Sequence, residues 1–232
     1  ALTIQHLQGE SLGGGVSGDL VLKVAQKPMG YHANIKMKDL ILEKMNPLLP
    51  HDLSTTGMRL SGEVQMSGEG FSPDGLQGSG WFKAARDPAE TLPAPPLSSQ
   101  PVSGKNILPF PLNKALAPFN QIEIHFETVS GTTLRINSSM ASEISSIRLS
   151  GTASLAGELD LDVDLTTQDA IETTKFWKKE PSPAKPRFFD LAGPLQFSGS
   201  LTGTLASPHL HGRLTAQQAL LREKSIGSLT GD

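Results

Sequence analysis

Cysteine is absent from this 232-residue chain. The sequence therefore offers neither a disulfide framework nor a thiolate metal site. Aromatic residues make up only 5% of the chain and apolar residues only 37%, below the roughly 45–50% of ordinary globular domains, a figure that also counts glycine. A chain of this composition can cover one face of an extended sheet more easily than it can fill a thick two-layered core.

Long apolar and long basic runs are also missing. No apolar stretch approaches the roughly 18 residues of a membrane-spanning helix, and no signal peptide opens the chain. The longest basic run is Lys178-Lys179 and the formal net charge is −3, which disfavours a nucleic-acid partner. Both ends of the sequence fall within strand-like patterns. We therefore expect a segment of a longer protein, whose targeting and anchoring elements lie elsewhere.

The dominant positive signal is an alternation of apolar and polar residues with a period of two. The clearest case, 155–165, reads Leu-Ala-Gly-Glu-Leu-Asp-Leu-Asp-Val-Asp-Leu. Successive side chains of a strand point to opposite faces, so each such run predicts a strand with one apolar and one polar face. The residues predicted to line the apolar face are Leu20, Leu22, Val24, Ile35, Met37, Leu60, Val64, Met66, Ile122, Ile124, Phe126, Leu134, Ile136, Ile147, Leu149, Leu159, Leu161, Val163, Leu165, Leu195, Phe197, Leu201 and Leu205.

Glycine (23) and proline (17) punctuate these runs and divide the chain into parts. Residues 1–86 predict a β-rich part with a short helix at 39–49, capped by Asp39. Residues 87–111 predict a proline-rich irregular excursion, because proline cannot donate to a sheet. Residues 112–232 predict a continuation of the sheet, with a further short helix at 169–179. The predicted strands are 2–8, 16–25, 30–38, 53–67, 75–84, 120–129, 132–139, 144–156, 157–167, 188–206, 208–217, 219–224 and 226–231.

A loose glycine repeat accompanies the alternation. The segment 60–68 (Leu-Ser-Gly-Glu-Val-Gln-Met-Ser-Gly) aligns without gaps with 149–157 (Leu-Ser-Gly-Thr-Ala-Ser-Leu-Ala-Gly). Glycine inside strands permits bends, and at intervals it lets a sheet curl. The predicted fold class is mainly β: an antiparallel, strongly twisted sheet curled into an open groove, with one or two short helices. The alternative is an ordinary β-sandwich, whose core the same apolar residues would fill.

Residues 13–18 match the sequence pattern of a dinucleotide-binding fingerprint but not its structural context. Gly13-x-Gly15-x-x-Gly18 fits the spacing, but a strand pattern follows where the fingerprint needs a helix N-terminus. A turn is the better interpretation. Ser79, between two glycines, lacks the five-residue pattern of a nucleophile elbow.

Two sets of side chains could in principle bind a metal. Asp160, Asp162 and Asp164 share one strand face, which a solvated surface explains better than calcium does. His209 and His211 share another but lack a third zinc ligand nearby. We therefore predict no catalytic residues, no metal site, no cofactor and no enzymatic activity.

Three sequence segments resemble those of a known protein family. They are 7–22 (Leu-Gln-Gly-Glu-Ser-Leu-Gly-Gly-Gly-Val-Ser-Gly-Asp-Leu-Val-Leu), the Leu-Ser-Gly repeated at 60–62 and 149–151, and 201–214 (Leu-Thr-Gly-Thr-Leu-Ala-Ser-Pro-His-Leu-His-Gly-Arg-Leu). Together they resemble the AsmA-like superfamily, the last segment in particular its TamB-type members. The resemblance covers most of the chain except 87–111. It implies a long β-groove protein of the Gram-negative envelope, anchored in the inner membrane and spanning the periplasm.

The resemblance also implies a function. Such proteins are thought to carry phospholipid towards the outer membrane, and TamB is linked to outer-membrane protein assembly. The expected function is non-catalytic lipid binding and transport along a hydrophobic groove. The expected partners are a phospholipid or other acyl-chain ligand, neighbouring segments of the same long chain and outer-membrane assembly proteins, with no nucleic acid. The alternative is a structural scaffold that serves outer-membrane protein assembly through its exposed sheet edges.

Overall fold

The computed structural model describes residues 2–25, 27–45, 57–70, 75–86, 119–169, 191–221 and 224–231. Of these residues, 80% lie in strands and almost none in helices. The strands are β1 (Leu2–Ser11), β2 (Gly14–Lys23), β3 (Gly30–Ile41), β4 (Met58–Glu69), β5 (Gln77–Arg86), β6 (Gln121–Ser130), β7 (Thr133–Ala141), β8 (Ser145–Ser154), β9 (Glu158–Thr167), β10 (Leu191–Ala192), β11 (Leu195–Thr204), β12 (Ser207–Leu221) and β13 (Lys224–Gly231). A 3₁₀ helix, Leu42–Met45, follows β3.

All the described strands belong to one antiparallel sheet in which sequence neighbours pair. The order runs from β1 to β9 without a crossover and continues through β11 and β12. β13 pairs with the other side of β12, and the two-residue β10 extends the β11 side. The sheet is open, which confirms the predicted mainly β, curled architecture. The sandwich alternative is wrong for the described part of the chain, because its strands form one sheet rather than two.

The connections are distributed unequally between the two ends of the sheet. Successive strands run antiparallel, so connections alternate between the two ends. The turns after β6, β8 and β11 are short and lie at one end. The long connections 42–57, 87–120 and 168–190 all leave from the opposite end.

One helix prediction is wrong at its start. Asp39 does not cap a helix, because β3 continues to Ile41 and the 3₁₀ turn begins only at Leu42. Asp39 instead occupies a bulge with φ of 56°, and its N–H donates to Ser61 Oγ at 3.1 Å. The bulge spaces the apolar residues Met37 and Leu40 three apart, the interval that a helix would also give.

The other predicted irregular elements lie outside the described residues. This holds for 46–49, for the excursion 87–111 and for the helix at 169–179 beyond Asp169. Within the described part, no helix is long and apolar enough to cross a membrane. The predicted strands 208–217 and 219–224 form one strand, β12, whose pairing with β13 shifts register between Ala216 and Ala219.

Candidate functional site: the apolar face of the curled sheet

Strand register aligns the apolar residues into continuous rows that cross the sheet. One row runs through neighbouring strands from β2 to β12 as Gly18, Ile35, Val64, Gly80, Phe126, Ile136, Gly151, Leu161, Leu201 and Leu210. Its members are all glycine or apolar, and none of them is polar. Because paired residues point to the same face, the row forms an uninterrupted apolar stripe across these strands.

Two further rows lie beside this stripe, both on the side nearer the strand ends from which the long connections leave. The first runs Val16, Met37, Gly62, Phe82, Ile124, Ser138, Leu149, Val163, Gly199 and Gly212; the second runs Leu40, Leu60, Ala84, Ile122, Met140, Ile147, Leu165, Phe197 and Leu214. We call the whole face of the sheet on which these three rows lie the apolar face. With strands about 4.8 Å apart, it extends roughly 50 Å from β1 to β13.

The structure places almost all of the predicted lining residues on the apolar face. The exceptions are Val24 and Leu205, which lie just beyond the ends of β2 and β11 and are exposed. Leu205 packs at the turn after β8, where its N–H donates to the Gly157 carbonyl oxygen at 2.8 Å.

Sequence reasoning missed several members of the apolar face. Tyr31, Phe82 and Ala84 occupy it by register, as do Leu40 and Met140. For Phe82 the sequence contains a usable pattern. Gly78, Gly80 and Phe82 are every second residue of β5 and therefore lie on one face, whereas Trp81 lies on the other. Because Trp81 and Phe82 are adjacent, either ring could have been the one on the apolar face.

Glycines on the apolar face mark where the sheet bends. A Cβ placed on Gly62 would lie 2.5 Å from the Trp81 carbonyl oxygen, and one on Gly80 would lie 2.7 Å from that of Glu63. Real Cβ atoms do not approach backbone this closely, so the neighbouring strand occupies the space that a side chain would need. Gly14, Gly78 and Gly203 share this property and face near the strand ends, and six glycines share them further inside the strands: Gly18, Gly62, Gly80, Gly151, Gly199 and Gly212.

These six glycines fall on two adjacent rows in the middle of the strands, and we call them the glycine crease. Gly18, Gly80 and Gly151 lie on one row, and the other three lie on the next. A line of glycines perpendicular to the strands lets each strand bend at the same height, so the sheet curls about that line. Gly151, with φ of 146°, adopts a backbone conformation that other residues rarely reach.

Aromatic rings cover the glycines from neighbouring strands. Phe82 contacts the space above Gly62, Phe126 that above Gly80 and Phe197 that above Gly212. Phe82 and Phe126 also stack, with ring centroids 5.8 Å apart and an interplanar angle of 18°. The rings shield backbone that glycine would leave bare, and they keep the crease apolar.

Side chains on the apolar face differ widely in exposure. Leu161 of β9 is only 6% exposed, whereas Leu7 of β1 and Leu210 of β12 are about 60% exposed. Buried members also occur close to the edges, such as Leu40 of β3 and Ala216 of β12, each 2% exposed. The arrangement is an open groove with an apolar floor.

At one end of strands β4 to β6 a small core covers the apolar face, and we call this region the closed end. Met58, Ala84, Phe119 and Ile122 are buried together, with Leu42 of the 3₁₀ helix packed against them. Phe119 has no exposed surface at all. The closed end is the one from which the long connections leave.

The opposite face carries polar side chains, among which three oppositely charged pairs are in contact. Lys36 pairs with Glu63 at 3.6 Å, Arg135 pairs with Glu127, and His125 Nε2 lies 2.8 Å from Glu123 Oε1. The hydrogen bond to His125 lowers the pKa of Glu123, helped by the charges of His125 and Lys83. These exposed pairs are worth little stability individually.

The predicted metal candidates lie on this polar face. Asp164 accepts a hydrogen bond from Ser198 Oγ at 2.7 Å, and Asp160 and Asp162 sit beside Thr202 and Ser200. His209 and His211 are exposed and pair in register with the same two residues. No group of three metal-ligating side chains occurs within the described ranges. Gly13 lies in the turn before β2, and a strand rather than a helix follows the glycines.

Comparisons with protein-family models, with curated proteins and with solved structures find no match to this chain.

Proposed function

We propose that the apolar face binds the acyl chains of lipids and lets them move along the sheet without any covalent chemistry. The observation that carries this proposal is the uninterrupted row of glycine and apolar side chains from β2 to β12. A methylene group transferred from water to such a surface gains about 0.8 kcal/mol, so part of one acyl chain already supplies useful affinity.

Movement requires that no position hold the chain much more tightly than the next. The row presents similar aliphatic side chains on different strands, such as Ile136, Leu161 and Leu201. Large apolar surfaces left open on soluble proteins mark interaction sites. A ligand that is itself a flexible apolar chain fits a long groove better than a compact molecule does.

The biological setting of this proposal rests on the resemblance to the AsmA-like superfamily. On that basis the chain is a segment of an inner-membrane-anchored protein in the periplasm, conducting phospholipid between the inner and outer membranes. Neighbouring segments of the same protein would continue the groove.

The test compares two adjacent residues of β7 that point to opposite faces. Ile136→Asp places a carboxylate on the apolar face, and Asn137→Asp places the same group on the polar face. We expect purified Ile136→Asp to lose binding of a fluorescent phospholipid while Asn137→Asp binds as the unmodified chain does. Circular dichroism checks that both variants keep the sheet. Equal binding by both folded variants would exclude the apolar face as the lipid site.

A second candidate is a scaffold that captures partner strands, and the open edges of the sheet favour it. Among the described strands, β1 pairs only with β2, and Ser207 to Gly212 of β12 pair only with β11. Exposed edges pair readily with added strands. Proline in place of Gln8 on the β1 edge should abolish partner capture in this scheme and leave lipid binding intact.

A further inference from the structure

The apolar face carries one charged side chain at its closed end. Arg86, the last residue of β5, pairs in register with the buried Met58 and shares the face of Phe82 and Ala84. Every other described charged side chain in β2 to β9 and β11 lies on the polar face or, for Asp39, at a bulge bonded to it. A cation has no role in lining a surface for acyl chains, so its position needs another reason.

The Nε–H donor of Arg86 is unpaired within the part of the chain that the structure describes. Its Nε is buried and has no hydrogen-bond partner, and no carboxylate of the described residues forms an ion pair with it. Its backbone N–H donates to the Asn120 carbonyl oxygen at 2.8 Å. A buried donor without a partner is costly, and the cost is larger for a charged group.

Polar groups elsewhere at this end of the sheet are already paired with each other. Ser145 Oγ donates to Thr167 Oγ1 at 2.9 Å, and Thr167 Oγ1 donates to the Asp169 carbonyl oxygen at 3.0 Å. Ser142 Oγ likewise donates to the Ser145 carbonyl oxygen at 3.3 Å. These hydroxyls form a satisfied polar rim where the apolar rows stop. Arg86 differs from them because its Nε–H has no partner among the described residues.

We propose that Arg86 binds the phosphate group of a lipid whose acyl chains lie on the apolar face. The inference rests on the proposed function and adds the side chain that holds the phosphate of the bound lipid. A guanidinium presents a planar fork of donors that matches phosphate oxygens, and it is more weakly hydrated than an ammonium group. Along β5, the rows of Ala84, Phe82 and Gly80 lead inward from Arg86, so acyl chains would continue from the head group onto the apolar face.

The experiment compares two lipids with identical acyl chains, phosphatidylglycerol and diacylglycerol, of which only the first carries phosphate. Their binding is measured on the unmodified chain, on Arg86→Gln and on Arg59→Gln. Arg59 is a matched control, because it lies one residue from Met58 on the neighbouring strand but is exposed on the opposite face.

We expect the unmodified chain and Arg59→Gln to bind phosphatidylglycerol about tenfold more tightly than diacylglycerol, the effect of one hydrogen bond to a charged group. Arg86→Gln should bind both lipids as weakly as the unmodified chain binds diacylglycerol. Equal affinities in the unmodified chain, or a preference that survives in Arg86→Gln, would overturn the role of Arg86 while leaving lipid binding itself in place. Failure of the unmodified chain to bind either lipid would instead overturn the proposed function.

A second measurement needs no variant and separates a lipid head group from free phosphate. The arginine Nε–H signals of the ¹⁵N-labelled chain are followed by NMR during titration with phosphatidylglycerol and, separately, with inorganic phosphate. We expect one buried Nε–H signal to shift with the lipid, and inorganic phosphate at the same concentration to leave it in place. An equal shift with inorganic phosphate would assign the site to the free anion and contradict a lipid head-group site.

Discussion

Phe126 lies over Gly80, its register partner on the neighbouring strand. A Cβ on Gly80 would be 2.8 Å from Phe126 Cζ and 2.7 Å from the carbonyl oxygen of Glu63, on the strand at its other side. The Phe126 ring on one neighbouring strand and the Glu63 backbone on the other thus both lie against Gly80. The curl of the sheet and its apolar lining depend on each other at this position, because the ring occupies the space that the missing side chain leaves.

Replacing Gly80 with alanine tests the glycine crease. The added methyl group must displace backbone or ring, and we expect the free energy of unfolding to fall by about 1–3 kcal/mol, as in other overpacked sites. Gly15→Ala is the control, since a Cβ there meets nothing within 4 Å. Urea denaturation of both variants gives the comparison. Equal stabilities would show that the sheet accommodates side chains along the crease.

The second prediction concerns the stability contributed by the core at the closed end. Phe119 is fully buried against Met58, Ala84 and Ile122. Phe119→Ala should therefore lower the free energy of unfolding by about 3–5 kcal/mol, through lost burial and the cavity left behind. Leu210→Ala, at a side chain 61% exposed on the same face, should change it by about 0.5 kcal/mol or less. A small effect at Phe119 would mean that this cluster does not anchor the sheet.

The polar face makes a prediction about pH. The hydrogen bond from His125 holds the pKa of Glu123 below its ordinary value in the folded chain. A carboxyl with a lowered folded-state pKa stabilises the fold above its unfolded-state pKa, and this contribution is lost as pH falls through the folded-state pKa. Carboxyl ¹³C titration of Glu123 should show the lowered value, and His125→Ala should return it towards normal. An unchanged titration in His125→Ala would exclude the hydrogen bond as the cause.

Much of this fold is readable from the period-two alternation, for a physical reason. Each strand has one polar and one apolar face, so the alternation in the sequence indicates where the strand begins and ends and which residues lie on each face. The run predicted at 157–167 is β9 at Glu158–Thr167, and those at 120–129 and 132–139 are β6 and β7 within two residues at each end.

The failures arise where the alternation breaks. Bulges insert one residue, between Ile4 and Leu7 in β1 and between Met37 and Leu40 in β3. At the first, the His6 N–H donates to Asp19 Oδ1 at 2.9 Å, a cross-strand contact that sequence spacing does not reveal. The placement of Arg86 on the apolar face was also missed. It lies an even number of residues from Phe82 and Ala84 on β5 and so shares their face, but its charge suggests a solvated position.

The most direct test of a lipid-binding groove is native mass spectrometry of the gently purified chain, with lipid extraction from the same sample. We expect masses that correspond to bound phospholipid, which are lost when Leu161, between Gly151 and Leu201 on the central row, is replaced by aspartate. A chain that carries no lipid and takes up none when phospholipid is added would contradict the account.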